Sequence, residues 1–233
     1  MSLEDVRPLL ESGMRRQMEA FRAALAAGMA RTGWKIGIND PAAQQRMGLT
    51  STLVGWLDGR RVFEAGQPYR APEGARPRVE AEVAVRVGAD VPAGTSLETA
   101  RAAIAAVAPA IEFVDVTKPL TPLDELLAHD ILHDGVMFGA ETAPASADGL
   151  VAKGFPSVGL NGVTVRLGLA GRYPDDLAEI VAHVANVLAE CGDALRAGDR
   201  IICGSFIDPF EIASGDRVAA DFGPLGRLSF EVA

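Results

Sequence analysis

The stretch Arg78-Val79-Glu80-Ala81-Glu82-Val83-Ala84-Val85-Arg86-Val87 alternates along its length and carries two carboxylates two residues apart. On a strand, residues i and i+2 point the same way, so Glu80 and Glu82 would stand together. Like charges so placed repel, and a divalent cation removes the repulsion. Hard oxygen ligands suit Mg²⁺ or Mn²⁺ rather than Zn²⁺. A solvated strand face is the other reading of the same pair. Glu112 interrupts the apolar run Ala110-Ile111-Glu112-Phe113-Val114, where a carboxylate needs a partner. It is a third ligand if its strand neighbours the first, and otherwise a paired or edge-strand residue. Lys35 sits among apolar residues between Gly33 and Gly37. Near a metal it could bind a carboxylate or move a proton, and away from one it would snorkel to the surface. His129-Asp130-Ile131-Leu132-His133-Asp134 places two histidines four apart, a spacing that shares one face of a helix. The His-Glu-x-x-His pattern of zinc proteases is absent, so His129 and Asp130 are assigned a structural role or one supporting a nearby metal site.

These residues need elements to hold them. Residues 4 to 30 read as a helix whose Met14, Met18, Phe21, Leu25 and Met29 form an apolar packing stripe, ended by Gly33. Residues 34 to 38 read as a short strand carrying Lys35. Residues 78 to 87 form the strand of Glu80 and Glu82, with Val83, Val85 and Val87 on its opposite face. Thr95 to Glu98 reads as a capping box opening a helix to about residue 108, with the Glu112 strand after Pro109. Asn161-Gly162 marks a tight turn between two strands. Asp175 or Asp176 caps a helix through Leu177, Ile180, Val181, Val184 and Leu188 that stops at Gly192. Residues 200 to 203 form a strand running into Gly204-Ser205, and two strands joined at Gly223-Pro224-Leu225-Gly226 close the chain. The sum is an α+β domain with more strand than helix.

Composition bounds the function. The chain has 233 residues, 48% hydrophobic and 23% charged, which suits a globular domain. Its 25 glycines favour a fold rich in strands and turns. A net charge of -9 argues against nucleic acid and anionic membranes as partners. It leaves an anionic substrate possible where a metal reverses the local sign. No stretch approaches the roughly 20 apolar residues of a membrane helix. Cys191 and Cys203 allow one disulfide by arithmetic but make no disulfide framework, so a reduced cytoplasm is the expectation. Gly-x-Ser-x-Gly and Gly-Lys-Ser/Thr motifs are both missing.

Taken together, the motifs resemble one family. Gly33-Trp34-Lys35-Ile36-Gly37, the Glu80-Ala81-Glu82 pair and Pro109-Ala110-Ile111-Glu112 are similar to segments of the 2-keto-4-pentenoate hydratases and 4-oxalocrotonate decarboxylases of the fumarylacetoacetate hydrolase superfamily. Asn161-Gly162, Ala197-Gly198-Asp199 through Gly204-Ser205, and Ser214-Gly215-Asp216 follow in that family's order. The resemblance implies a mixed β-roll of the superfamily's C-terminal-domain type over residues 33–233, after an N-terminal helical segment at 1–32. It implies Mg²⁺ or Mn²⁺ on Glu80, Glu82 and Glu112, a catalytic Lys35, and a substrate pocket lined by Gly204 and Ser205. The implied activity is hydration of a 2-hydroxy-2,4-dienoate in the degradation of aromatic compounds, by a homo-oligomer of two or more copies. Decarboxylation of the 4-oxalocrotonate type, C–C hydrolysis, or a keto-acid-binding partner subunit without turnover are the alternatives. The family's usual Ala-Asp-Asn is here Ala128-His129-Asp130, and Val116-Thr117-Lys118 stands where many relatives have an Arg. No histidine precedes His129 to serve the His–Glu pair of the hydrolase branch, which ranks hydrolysis below the other two.

Overall fold

The alternation at Glu80 and Glu82 becomes a central strand of a curled mixed sheet. The computed structural model describes residues 3–169 and 176–233, so Asp175, the alternative helix cap, lies outside the described residues. In chain order the elements are α1 (Leu3–Ala26), β1 (Arg31–Gly37), α2 (Pro41–Met47), β2 (Leu53–Asp58), β3 (Val62–Glu64), β4 (Pro77–Val87), α3 (Leu97–Ala103), β5 (Ile104–Asp115) and α4 (Leu123–Ala128). Then come β6 (His133–Phe138), β7 (Ser157–Leu160), β8 (Val163–Leu167), α5 (Leu177–Glu190), β9 (Arg200–Ile202), β10 (Phe210–Glu211), β11 (Arg217–Asp221) and β12 (Arg227–Glu231). The larger sheet runs β2-β1-β9-β4-β5-β6-β3, with β10 also paired to β4; the smaller runs β12-β11-β7-β8. Pairing is antiparallel except β1 with β9 and β3 with β6. This is the mixed α+β roll that the sequence leads one to expect.

The two faces of the large sheet do different work. On the outer face, Val79, Val83, Val85, Ile111 and Ile201 join the main core with Met18 and Phe21 of α1 and Val181, Val184 and Leu188 of α5. Phe21 lies 5.0 Å from Trp34 and 5.6 Å from Trp56, ring to ring. Fully burying each such side chain stabilises the fold by about 1.5–3 kcal/mol. The inner face is lined by small or branched residues, Leu57, Ala84, Ala108, Ala110, Val136 and Ile202. Their modest bulk lets the sheet curl until β2 meets β6, where the Asp58 N–H donates to His133 Nε2 at 3.4 Å.

Three local expectations need correction. The first helix ends at Ala26 and the chain turns at Gly28 (φ 92°) rather than at Gly33. Gly33 lies within β1, where a Cβ would stand 1.9 Å from the Arg200 carbonyl oxygen; only glycine lets β1 approach β9 there. The cap of α3 is Ser96 rather than Thr95, its Oγ accepting from the Thr99 N–H at 3.1 Å. That helix stops at Ala103, because residues from Ile104 onward pair with β4 as far as Val87. A ladder buried on both faces overrides the helical propensity of the alanines. The Asn161-Gly162 turn (φ 52° and 85°) and the Asp176 cap of α5 fall where the sequence places them. Cys191 and Cys203 are both free.

Candidate metal centre

Strands β4 and β5 bring three carboxylates together on the inner face. Glu80 stands opposite Glu112 in the ladder, and Glu82 follows opposite Ala110. One oxygen from each of Glu80, Glu82 and Glu112 lies within 4.8 Å of the others. Glu82 and Glu112 are buried, while Glu80 is half-buried. The Gly204 N–H donates to Glu82 Oε2 at 2.7 Å. Glu82 Oε1 is buried with no hydrogen-bond partner among the described residues. Burial, then the charges of Glu112 and Glu80, push the Glu82 carboxyl well above its ordinary range, against the pull of Lys35 and the Gly204 N–H. A buried oxygen without a partner beside two more carboxylates fits a divalent cation with hard oxygen ligands.

Lys35 enters the same space from β1. Its Nζ donates to Glu112 Oε1 and, at 3.2 Å, to the Ile131 carbonyl. Burial favours a neutral amine, but Glu112 and Glu80 outweigh it and raise Lys35 above its usual range, so it is an ammonium. Burial likewise raises Glu112, and Lys35 and His133 together overcome it and hold the carboxyl below its usual range. The turn that presents the Ile131 carbonyl follows α4 and is left-handed at Asp130, Ile131 and Leu132 (φ 53°, 50° and 66°). Each non-glycine residue in that region costs on the order of 1–3 kcal/mol, which the surrounding packing must supply.

The remaining candidates separate. Asp130 is buried, and its Oδ1 accepts from Gln17 Nε2 at 2.6 Å and from the Trp56 N–H at 2.9 Å. Burial pushes its carboxyl up to about 6 despite His133, Lys35 and these donors. His129 caps the end of α4, with Nδ1 2.9 Å from the Glu125 carbonyl oxygen and its side chain 41% exposed. Because α4 stops at Ala128, His129 and His133 do not share a helical face. His129, Asp130, His133 and Lys118 border a separate cavity of about 530 Å³. Gly204 (φ 96°) meets the site through Glu82, whereas the Ser205 hydroxyl donates to the Ile207 carbonyl at 3.0 Å.

Three further residues join the arrangement, of which sequence reasoning overlooked Gly55 and Gln17 and named His133 only as the partner of His129. His133 Nδ1 lies 2.8 Å from Glu112 Oε1. Gly55 is the register partner of Lys35, and a Cβ there would stand 2.7 Å from Asp130 Oδ1. Gln17 reaches Asp130 from α1 across the fold. Only the histidine had a local signal, its place four residues after His129.

No family model matches the chain. Individual proteins do. It is 27% identical over 208 residues to a 4-oxalocrotonate decarboxylase from a Pseudomonas species, covering 87% of this chain and 79% of the relative. It is 27% identical over 220 residues to 2-hydroxyhexa-2,4-dienoate hydratase from Comamonas testosteroni, covering 92% and 83%. Among solved structures, it resembles 4-oxalocrotonate decarboxylase from Pseudomonas putida G7, complexed with magnesium and adipate. The TM-score is 0.85 at 25% identity, over 93% of this chain and 83% of that one.

Proposed function

Because this chain belongs to the fumarylacetoacetate hydrolase superfamily, on its 2-keto-4-pentenoate hydratase and 4-oxalocrotonate decarboxylase branch, we propose that it is a divalent-metal-dependent hydratase of a 2-hydroxy-2,4-dienoate. The convergence of Glu80, Glu82 and Glu112, with Glu82 Oε1 left without a partner among the described residues, carries this reading. These three residues would hold Mg²⁺ or Mn²⁺, which when bound supplies Lewis-acid stabilisation of charge on the substrate's 2-oxygen.

The protein's own groups account for the rest. Lys35 holds a proton at Nζ, fixed by Glu112 and the Ile131 carbonyl, and offers a positive charge to a substrate carboxylate. The Gly204 N–H fixes Glu82. A cavity of about 80 Å³ opens on Lys35, Glu80 and Glu112, with Ile38, Val114, Leu120, Leu126 and Leu132 in its wall. Among the described lining residues Lys35 is the one cation, and Glu112 already engages it. A substrate with one carboxylate and an apolar far end suits that wall, because a second carboxylate would be desolvated there without a partner. In the net reaction C5 and C3 of the substrate each gain a proton, the 2-hydroxyl loses one as it becomes the 2-oxo group, and water gives up a proton as its oxygen bonds to C4, giving a 4-hydroxy-2-oxo acid. The apolar wall limits stray water around the reacting carbons.

Decarboxylation of a vinylogous keto diacid is the second reading, favoured by the likeness to the two 4-oxalocrotonate decarboxylases. The test is the decay of 2-hydroxypenta-2,4-dienoate absorbance with Mg²⁺, with Mn²⁺ and with EDTA, run beside 4-oxalocrotonate. Fast, EDTA-sensitive decay to 4-hydroxy-2-ketopentanoate supports the hydratase. Release of CO₂ from 4-oxalocrotonate without hydration of the dienoate replaces it with the decarboxylase.

A further inference from the structure

We propose that His133 is a positioning residue that sets the orientation of Glu112 for cation binding, an inference that rests on the metal reading above. Its ring is 1% exposed and is held at both ends. Nδ1 lies 2.8 Å from Glu112 Oε1, and Nε2 faces the Asp58 N–H at 3.4 Å. A backbone N–H can only donate, so Nε2 carries the lone pair and the ring proton resides on Nδ1. From there it donates to Glu112 Oε1. The Asp58 amide thus selects the tautomer that makes His133 a donor to the carboxylate.

The placement of His133 has a specific backbone cause. Val136 of β6 pairs with Glu112 and faces the inner side. Regular alternation from Val136 would turn Asp134 inward and His133 outward. Between Gly135 and His133 the ladder with β5 shifts, because Gly135 pairs with Phe113 but His133 pairs with Val114. The extra residue in β6 is a β-bulge, and it exchanges the two side chains. Asp134 goes outward to the Tyr69 hydroxyl at 2.8 Å and to Arg61, while His133 goes inward to Glu112.

Lys35 and His133 both donate to the same oxygen of Glu112. Lysine alone is a point charge on a flexible stem and leaves the carboxylate plane free to turn. The planar imidazole, tied to β2 behind it, removes that freedom.

The experiment measures the Mn²⁺ dissociation constant by electron paramagnetic resonance of free Mn²⁺, in the whole 233-residue chain. His133→Asn sets an amide N–H at the position of Nδ1. His133→Gln carries its amide out to the region of Nε2, and His133→Leu has no donor. Loss of an outer hydrogen-bond partner commonly weakens metal binding about 10–100-fold, and that loss is expected for Leu and Gln. His133→Asn should stay close to wild type, a rescue that a purely space-filling role would not give. A Leu or Gln variant that binds Mn²⁺ as wild type does, or an Asn variant as weak as Gln, overturns the inference. If Leu does not fold, the Asn and Gln pair decides. Glu82→Gln is the control: wild-type protein that binds no Mn²⁺, or binds it as Glu82→Gln does, overturns the metal reading and this inference with it. Binding lost in Glu82→Gln but intact in His133→Leu and His133→Gln overturns the His133 role alone.

Discussion

Glu80 stands directly opposite Glu112 across the β4–β5 ladder, a position where like charges destabilise a sheet. With Glu82 buried beside them, the metal-free protein carries an electrostatic cost that a cation would remove. Glu82→Gln keeps an acceptor for the Gly204 N–H and discards one charge. The variant is expected to melt above the metal-free wild type and to show no further rise with Mn²⁺. Wild type should gain about 2.7 kcal/mol at a Mn²⁺ concentration 100 times its dissociation constant. Thermal melts with EDTA and with Mn²⁺ measure both arms. A wild-type melting temperature indifferent to Mn²⁺ would remove the metal from the site.

Lys35→Met separates stability, binding and turnover. Removing one partner of a buried ion pair costs about 3–5 kcal/mol, because Glu112 keeps its charge. A bound cation replaces the lost neutralisation, so the stability deficit should shrink when Mn²⁺ is added. Turnover should fall by roughly 10²–10⁴-fold if Lys35 handles a proton. Steady-state kinetics at saturating Mn²⁺, set beside melts of the same samples, test this. Turnover near wild type would take Lys35 out of the chemistry and leave it a structural counter-ion.

The residues that carry this argument differ in how far sequence could find them. Glu80 and Glu82 announce themselves by strand alternation, since a period of two fixes their common side. Glu112 stands out as a charge in an apolar run, but its pairing with Glu80 is a matter of register, which no local pattern specifies. The α4 end is opaque for another reason. Helical spacing joins His129 to His133, yet three left-handed residues separate the two and a bulge at the start of β6 turns His133 inward, and tertiary packing imposes both. Gln17 meets Asp130 across 113 residues of chain, a contact that only the docking of α1 creates.

Asp130 gives a prediction in pH. Burial lifts its carboxyl from an ordinary 3.8 to about 6. Between those values the folded protein holds a proton that the unfolded chain has released, so this residue's contribution to stability falls as pH rises through about 6. The charged carboxylate then costs up to roughly 3 kcal/mol at neutral pH. Asp130→Asn retains an acceptor for Gln17 and the Trp56 N–H. Its melting temperature should exceed wild type most above pH 7, and the gap should close as pH approaches 4. A difference that stays constant from pH 4 to 8 contradicts the assignment.

Gly55 tests whether the site depends on close backbone approach. It sits across from Lys35 in β2, where a Cβ would stand 2.7 Å from Asp130 Oδ1 and 3.0 Å from Lys35 Cγ. Both atoms belong to buried side chains with fixed partners, so neither can swing aside without losing a hydrogen bond. Overpacking of this kind costs about 1–3 kcal/mol. In Gly55→Ala the lysine stem must shift, which moves Nζ relative to Glu112 while Glu80 and Glu82 on β4 are untouched. The expected result is a folded variant that still binds Mn²⁺ but turns over slowly, with kcat reduced more than the Mn²⁺ affinity. Titration of Mn²⁺ and kinetics on one preparation distinguish the two effects. If kcat survives intact, the distance between Lys35 and Glu112 is not what limits the reaction.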